Sequence, residues 1–402
     1  MSSRVFYLYV LLLFVFLIPV YGFATIRHAC FIVNPASNNG KGWRVWDRIE
    51  EAVDQHYTAV GSQDQAAAAV QATYNVFFTE HAGHATELAM QAYLDWQQVQ
   101  HDQEDQLLIV AVGGDGTIHE VVQGLEGKPQ VVIGVIPAGK GNDIANTLRL
   151  GKPMHALRTL VYGTPMRFGA YKIEGCEGGS CEKKTVLAVS EFDLGMATQM
   201  KKKKDDHNSG KRPSRLLRYS PRSMASAMLA ISSAMRWNTP IVRCTTDNGR
   251  FNIPLNFLAA STGPTFGGGI ALFNYMLPIC TRGKLLYSHQ RTHPIWTLIQ
   301  MTMERLLNWS GLTRTNMQKL RNWSGQRELV FTQLGIQHQD ETPLSIQVDG
   351  DISLQTPAQI TWLSSAFRFM RPPEYGELGY ALMDLDGAGD DPDSFYILSA
   401  EM

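Results

Sequence analysis

The sequence predicts a two-part chain: a doubly wound, mainly parallel α/β domain over residues 27–165, then a β-rich half, built as a β-sandwich, over residues 166–372. Three observations carry this. The continuous apolar runs at Leu107–Val112 (LLIVAV) and Val131–Ile136 have the pattern of parallel strands buried on both faces. Helical patterns alternate with such runs in the first part. From about Arg167 they give way to short β-like runs separated by turns. With 402 residues, 44% apolar and 18% charged, the chain has material for two or three packed domains, which excludes wholesale disorder and fibrous repeats.

Taken in order, Arg4 precedes an uncharged apolar run, Val5–Phe23, close to the length that crosses a bilayer, so residues 1–26 read as an anchor, a signal peptide or an upstream extension. His28–Asn34 (HACFIVN) is a short buried strand, closed by Pro35 and a small polar stretch, Ala36–Gly42. Trp43, Trp46, Ile49 and Val53 then recur at helical spacing, and Tyr74–Thr79 is the next strand. Thr79 and Glu80 open a helix running through His84, Leu88 and Tyr93. In the second half, Tyr171–Ile173, Thr185–Val189, Ile241–Cys244, Leu255–Ala259, Leu344–Val348 and Gln359–Leu363 are the expected strands. A basic stretch from Lys201 to Arg222 and helices at Ser223–Trp237 and Ile295–Leu307 interrupt them. The two NWSG repeats, starting at Asn308 and Asn322, read as loop turns, and residues 373–402 as a solvated acidic tail.

Charge narrows the partners. Lys plus Arg (36) nearly balance Asp plus Glu (37), for a net charge of -1, so the chain lacks the basic excess of a dedicated nucleic-acid binder. Only a local patch meets that need: Lys201–Lys204, Lys211, Arg212, Arg215, Arg218 and Arg222 form a basic cluster that reads either as a solvated loop or as a contact for an anionic membrane surface. The five cysteines form no CxxC pair and fit a reducing, cytoplasmic setting. His81, His84 and His119 fall near the glycine loops without a metal-ligand spacing, and none is assigned chemistry from spacing.

The strongest chemical signal is Gly113-Gly114-Asp115-Gly116-Thr117, between a buried strand and the helical pattern Ile118–Leu125. Glycines there let the backbone approach phosphate oxygens, and a helix start supplies N–H donors. Asp115 would place a carboxylate at the carboxyl end of a strand, where open α/β sheets bind ligands, able to hold Mg2+ directly or through water; a capped glycine turn is the bland reading. Two further strand ends bear loops of the same kind: Asn34-Pro35 before Gly40-Lys41-Gly42, and Pro137-Ala138-Gly139-Lys140-Gly141-Asn142-Asp143. The three loops together would form one nucleotide-binding rim.

IVNP with its glycine loop, GGDGT with Glu120 three residues on, and GxGNDxAxxL together resemble the diacylglycerol kinase catalytic domain family, which includes bacterial lipid kinases and sphingosine kinases. The resemblance runs over roughly residues 28–370. It implies a two-domain lipid kinase fold, ATP with Mg2+ as cofactors, and phosphorylation of a membrane lipid hydroxyl, with diacylglycerol as the expected acceptor and phosphatidic acid as product. By the match, Asn34, Pro35, Ala36, Ser37, Asn38, Thr79 and the stretch Gly114, Asp115, Gly116, Thr117, Ile118, His119 and Glu120 stand at ATP-contacting positions, flanked by Gly113, Gly139 and Lys140; Asn142 and Asp143 stand in the GND turn. Asp349-Gly350-Asp351 resembles the family's DGE, which makes Asp351 the expected proton acceptor beside Asp115; a plain hairpin turn is the other reading.

Departures accompany the match. Lys140 replaces Thr or Ser, and Asp351 is one methylene shorter than Glu. Arg282 and Leu286 replace both carboxylates of a structural Mg2+ segment, so that second metal is expected to be lost, whereas Phe266-Gly267-Gly268-Gly269 keeps the register. An exported kinase would lose its nucleotide supply, which favours an anchor or an extension at the N-terminus and a cytoplasmic, membrane-associated body. Two other readings stay open: an NAD kinase, which shares GGDGT, and a catalytically impaired nucleotide or lipid sensor.

Overall fold

The computed structural model describes residues 26–59, 72–99, 105–177, 182–208, 231–267, 270–271, 276, 278–288 and 326–373. The apolar N-terminal run, most of the basic stretch, the helix expected at 295–307, both NWSG repeats and the acidic tail lie outside them. Of the helix expected at Ser223–Trp237, residues 231–235 are described and are helical. Among the described residues no helix is long and apolar enough to cross a membrane.

The first part is a parallel sheet of β1 (Ile26–Val33), β2 (Tyr57–Ala59), β3 (Ala72–Phe78), β4 (Gln106–Gly113) and β5 (Val131–Pro137). Their order is β2-β3-β1-β4-β5, every neighbour parallel. Helices cover it because their apolar residues recur on one face. Helix α1 (Ser37–His56) buries Val45, Trp46, Ile49 and Val53, α2 (His84–Gln98) buries Ala85, Ala89, Tyr93 and Trp96, and α3 (Asp115–Gly124) buries Ile118, Val121 and Val122. Two further helices follow, α4 (Asp143–Thr147) and α5 (Pro153–Tyr162). The strand order reverses between β1 and β4, and α/β sheets open a crevice at the carboxyl ends of such strands.

One helix starts later than its sequence pattern suggests. Residues 79–83 form a loop and turn instead of the expected first helical turn at Thr79, because Gly83 takes a left-handed φ of 85° at the N-cap and α2 begins only at His84.

The second part contains β6 (Thr164–Cys176), β7 (Lys183–Ala188), β8 (Glu191–Gly195), α6 (Met196–Asn208), β9 (Ile241–Thr246), β10 (Gly249–Pro254), β11 (Phe257–Ser261), β12 (Thr265–Phe266), β13 (Ile270–Ala271), β14 (Gly283–Ser288), β15 (Gln326–Phe331), β16 (Gln333–His338), β17 (Ser345–Val348) and the 21-residue β18 (Asp351–Arg371). Its own core centres on Tyr171, whose ring packs 5.1 Å from Phe192 and 4.7 Å from Trp362. The Tyr171 hydroxyl, fully buried, donates to Ser261 O at 3.1 Å and accepts from Lys284 N–H at 3.2 Å.

Strand β18 belongs to both cores. Its first residues pair with β17 and β16, and its last ones return to the first sheet, where Phe369 pairs in parallel with Ile133 of β5. The fold is therefore the expected α/β sheet plus β-rich half, run together, among the described residues, into one 16-stranded sheet. Phe369 is buried in the first core against Phe168, ring centroids 4.5 Å apart. Phe369→Ala is expected to cost about 3–5 kcal/mol, read as a lower midpoint of urea unfolding.

Candidate active site

Three loops at the carboxyl ends of β1, β4 and β5 bind one another pairwise. Asn34 Nδ2 donates to Thr117 Oγ1 at 3.0 Å, which joins the first loop to the second. A side chain at Gly113 would sit 2.3 Å from that same Thr117 Oγ1, so glycine there makes room for the bond. Ser37 Oγ donates to Ala138 O at 3.4 Å and Asn38 Nδ2 to Gly139 O at 3.3 Å, which joins the first loop to the third. Second and third meet backbone to backbone: a Cβ on Gly139 would lie 2.5 Å from Gly114 Cα, and one on Gly114 would lie 2.9 Å from Gly139 Cα. Left-handed Asn38, Asn39 and Gly40 curl the first loop before α1 continues. The start of α3 then faces this rim with its first N–H groups, the arrangement that holds phosphate.

Many of the residues expected at the nucleotide build the rim's shape. Asn142, itself left-handed, accepts the Gly139 N–H at 2.8 Å and closes the third loop. Asp115 Oδ1 accepts the Ile144 N–H at 3.2 Å, so this carboxylate ties the second loop to the start of α4. Glu120 Oε2 accepts the Ala85 N–H at 3.1 Å and steadies the start of α2. Ile118 points into the first core. Pro35 and Thr79 are half-buried, the latter fixed by its N–H to Val33 O, whereas Ala36, Gly116 and Lys140 are exposed. Asp143 is buried beside Asp115.

Across from these loops stands the β17–β18 hairpin. Asp349 and Gly350 are its two-residue turn, with φ of 45° and 93°, the pairing of positive angles that tight hairpins of Asp-Gly favour. The hairpin turn is thus present, and Asp351, first residue of β18, has a side chain 79% exposed, with Lys201 Nζ 3.9 Å from its Oδ1. Asp349 is the opposite, a side chain with no exposure that accepts from Val189 N–H (2.9 Å), Ser190 N–H (2.8 Å), Glu191 N–H (2.8 Å) and His119 Nδ1 (2.8 Å).

Sequence patterns did not single out Glu191 or Asp193, which stand two apart on the otherwise apolar β8 and so share one face. That spacing of acids in a buried strand was the available signal. Glu191 accepts the Gly267 N–H at 2.6 Å. Its carboxyl is held well above the usual range by burial first, then by the charges of Asp143, Asp193 and Asp349. Burial likewise raises Asp193 to about 7, opposed by the Thr198 hydroxyl and Lys201. Asp115 is raised by burial and by Asp143, against the Ile144 and Asp143 N–H groups. His119 is raised as well: burial pulls it down, and Asp349, aided by Asp351 and Glu120, outweighs burial. The carboxylates of both halves therefore form one electrostatically linked group.

Contrary to the spacing argument, His81, His84 and Glu87 bring ligand atoms within 4.8 Å of one another, because the turn at Gly83 folds His81 over the first turn of α2. The rings stack at 10° with centroids 4.6 Å apart, and His84 Nδ1 accepts the Glu80 N–H, which leaves the proton of the neutral ring on Nε2; neither feature suits coordination. In the segment aligned with the family's structural Mg2+ site, Arg282 pairs with Asp247 at 3.3 Å and Leu286 lies in the second core, so these residues do not fit a cation.

Residues 28–173 match the diacylglycerol kinase catalytic domain family. The chain is 32% identical over 128 residues to YtlR of Bacillus subtilis (strain 168), a protein named provisionally as a lipid kinase, an alignment that takes in 32% of this chain and 35% of that one. It is 37% identical over 86 residues to a diacylglycerol kinase of Staphylococcus aureus (strain Newman), covering 21% of this chain and 27% of the relative. The matched part thus spans about a third or less of these curated relatives' length. A diacylglycerol kinase structure from Bacillus anthracis str. Sterne superposes with a TM-score of 0.52 over 87% of this chain and 98% of that one, at 15% identity. A second structure from the same organism, described provisionally as a diacylglycerol kinase, reaches 0.57 over 87% and 96%, at 16% identity. These two likenesses show the fold, and the family resemblance read from the motifs stands.

Two measurements follow from this geometry. Gly139→Ala drives a Cβ into the Gly114 backbone, so nucleotide affinity should fall by more than tenfold in a titration, while far-ultraviolet circular dichroism stays unchanged. The raised Asp193 means that the folded state binds a proton the unfolded chain releases between its ordinary value of 3.8 and about 7, so stability falls as pH rises through that window. Asp193→Asn should therefore raise the melting temperature at pH 8 and leave it unchanged near pH 4.

Proposed function

We propose that this chain, which carries a diacylglycerol kinase catalytic domain over residues 28–173, transfers the γ-phosphoryl group of ATP to the hydroxyl of a membrane lipid, with diacylglycerol as acceptor. The observation that carries the reading is the closed rim of three strand-end loops opposite an exposed carboxylate, Asp351. In this reading the rim offers backbone N–H groups and close glycine contacts to phosphate, and the exposed carboxylate would orient an acceptor hydroxyl.

In this reading the first part holds the nucleotide and the β-rich half the lipid. The Asp351 carboxylate takes the hydroxyl proton as the lipid oxygen bonds to the γ-phosphorus; the bond from that phosphorus to the bridging oxygen breaks, and ADP leaves. Mg2+ fits the site on the chemistry of its donors, since Asp115 and Asp143 are crowded, mutually repelling carboxylates that a cation would relieve. Asp115 is its expected ligand, directly or through water, and the ion would supply neutralisation of phosphate charge. Lys140, exposed on the third loop, would meet phosphate as a point charge in this reading. Lys201–Lys204 begin the basic cluster on α6, with Lys201 near Asp351, which suits a body resting on an anionic leaflet in the cytoplasm.

The deciding experiment uses the full chain with radiolabelled ATP and Mg2+ in mixed micelles of diacylglycerol, a sphingoid base or phosphatidylglycerol, with NAD in a parallel reaction. Label in diacylglycerol supports the proposal. Label only in NAD would make the chain an NAD kinase; nucleotide binding without any transfer would favour a sensor, the reading motivated by Arg282, Leu286 and the shortened Asp351. With the active lipid, Asp115→Asn should abolish transfer with the fold intact. Asp351→Asn should lower kcat by about 10²-fold or more with little change in the KM for ATP.

A further inference from the structure

We infer that His119 is a positioning residue that ties the nucleotide-loop helix to the Asp349–Gly350 turn and thereby fixes where Asp351 stands. The inference rests on the reading of Asp351 as proton acceptor.

His119 sits on α3 one turn beyond Asp115, on the helix whose first residues face the phosphate rim. Its Nδ1 lies 2.8 Å from Asp349 Oδ2, with the His119 side chain 15% exposed and that of Asp349 fully buried. A carboxylate accepts, so Nδ1–H is the donor. The other three donors to Asp349 are consecutive backbone N–H groups, Val189 to Glu191, and the Asp349 N–H returns a bond to Glu191 O at 2.9 Å. Those contacts anchor the turn within its own half of the chain. The bond from His119 reaches it from the helix that carries the phosphate loop, 230 residues away in sequence.

The turn transmits position because it has two residues and both are confined to positive φ, while Val348 pairs directly with Asp351. A shift of Asp349 is therefore passed to Asp351 with little slack. Phosphoryl transfer depends chiefly on alignment, and a misplacement of about 1 Å can cost about 10²-fold.

A second clasp on the same helix provides the control. Gln123, one turn beyond His119, donates from Nε2 to Leu187 O at 2.8 Å and accepts the Leu187 N–H at 3.1 Å. It holds β7 to α3 without touching the turn.

The test compares kcat and KM of full-length variants in the lipid kinase assay. His119→Ala should lower kcat by about tenfold to 10²-fold with the KM for ATP nearly unchanged. Gln123→Ala should lower thermal stability with kcat within about threefold. His119→Asn, whose Nδ2 is as many bonds from the backbone as Nδ1, should restore most of the lost kcat. Should the alanine variant not fold, His119→Gln keeps a donor but sets it one methylene farther, and should show the same loss. Because His119 acts through Asp351, adding His119→Ala to Asp351→Asn should cost less than about threefold further. Equal losses in the His119 and Gln123 variants, no rescue by asparagine, or full additivity with Asp351→Asn would each overturn the inference. Full activity in Asp351→Asn alone would instead remove the acceptor reading beneath it.

Discussion

One buried carboxylate organises the meeting of the two halves. Asp349 has no exposed side-chain surface, and a carboxylate so placed is tolerated only when donors surround it. Three of its four donors are backbone N–H groups of the segment 189–191 and the fourth comes from α3. The requirement to satisfy this one group therefore fixes the hairpin turn, the entry to β8 and one face of α3 relative to each other. Removal of any donor leaves the carboxylate short inside the protein.

The same constraint gives the site its electrostatic character. Asp115, Asp143, Glu191 and Asp349 influence one another across strand ends, and Glu191 in particular is pushed far from its ordinary acidity by burial and by three neighbouring carboxylates. Like charges gathered in a low-dielectric crevice destabilise the fold locally, and such clusters mark places where a cation or a charged reactant is handled. The protein moderates the repulsion with backbone dipoles: Ile144 faces Asp115 and Gly267 faces Glu191. Lys201 adds a positive charge between Asp193 and Asp351.

Geometry at the three-loop rim rests on the absence of side chains rather than their presence. Gly114 and Gly139 approach so closely that a Cβ on either would enter the other's backbone, and Gly42 lies where a Cβ would sit 1.9 Å from Asn34 O. The polar residues of the loops then bond to each other, Asn34 Nδ2 to Thr117 Oγ1 and the Gly139 N–H to Asn142 Oδ1, which holds the loop backbone in a fixed frame. Groups preorganised in this way need no rearrangement when a phosphate arrives.

The parallel strands were legible in the sequence because burial on both faces writes an unbroken apolar run, and the glycine loops because glycines at strand ends follow a local steric rule. The turn at Asp349-Gly350 was equally local, since two positive φ angles favour that dipeptide. What the sequence by itself determined is therefore everything set by neighbours a few residues apart: strand, loop, turn and the family pattern they compose. Only the tertiary structure decided that His119 answers to Asp349, that Asp115 serves the start of α4, that Glu191 and Asp193 join the acidic crevice, and that β18 closes both cores. Those pairings join residues 29 to 230 positions apart or more, and no local preference encodes them; they follow from which donors a buried carboxylate finds once the chain has packed.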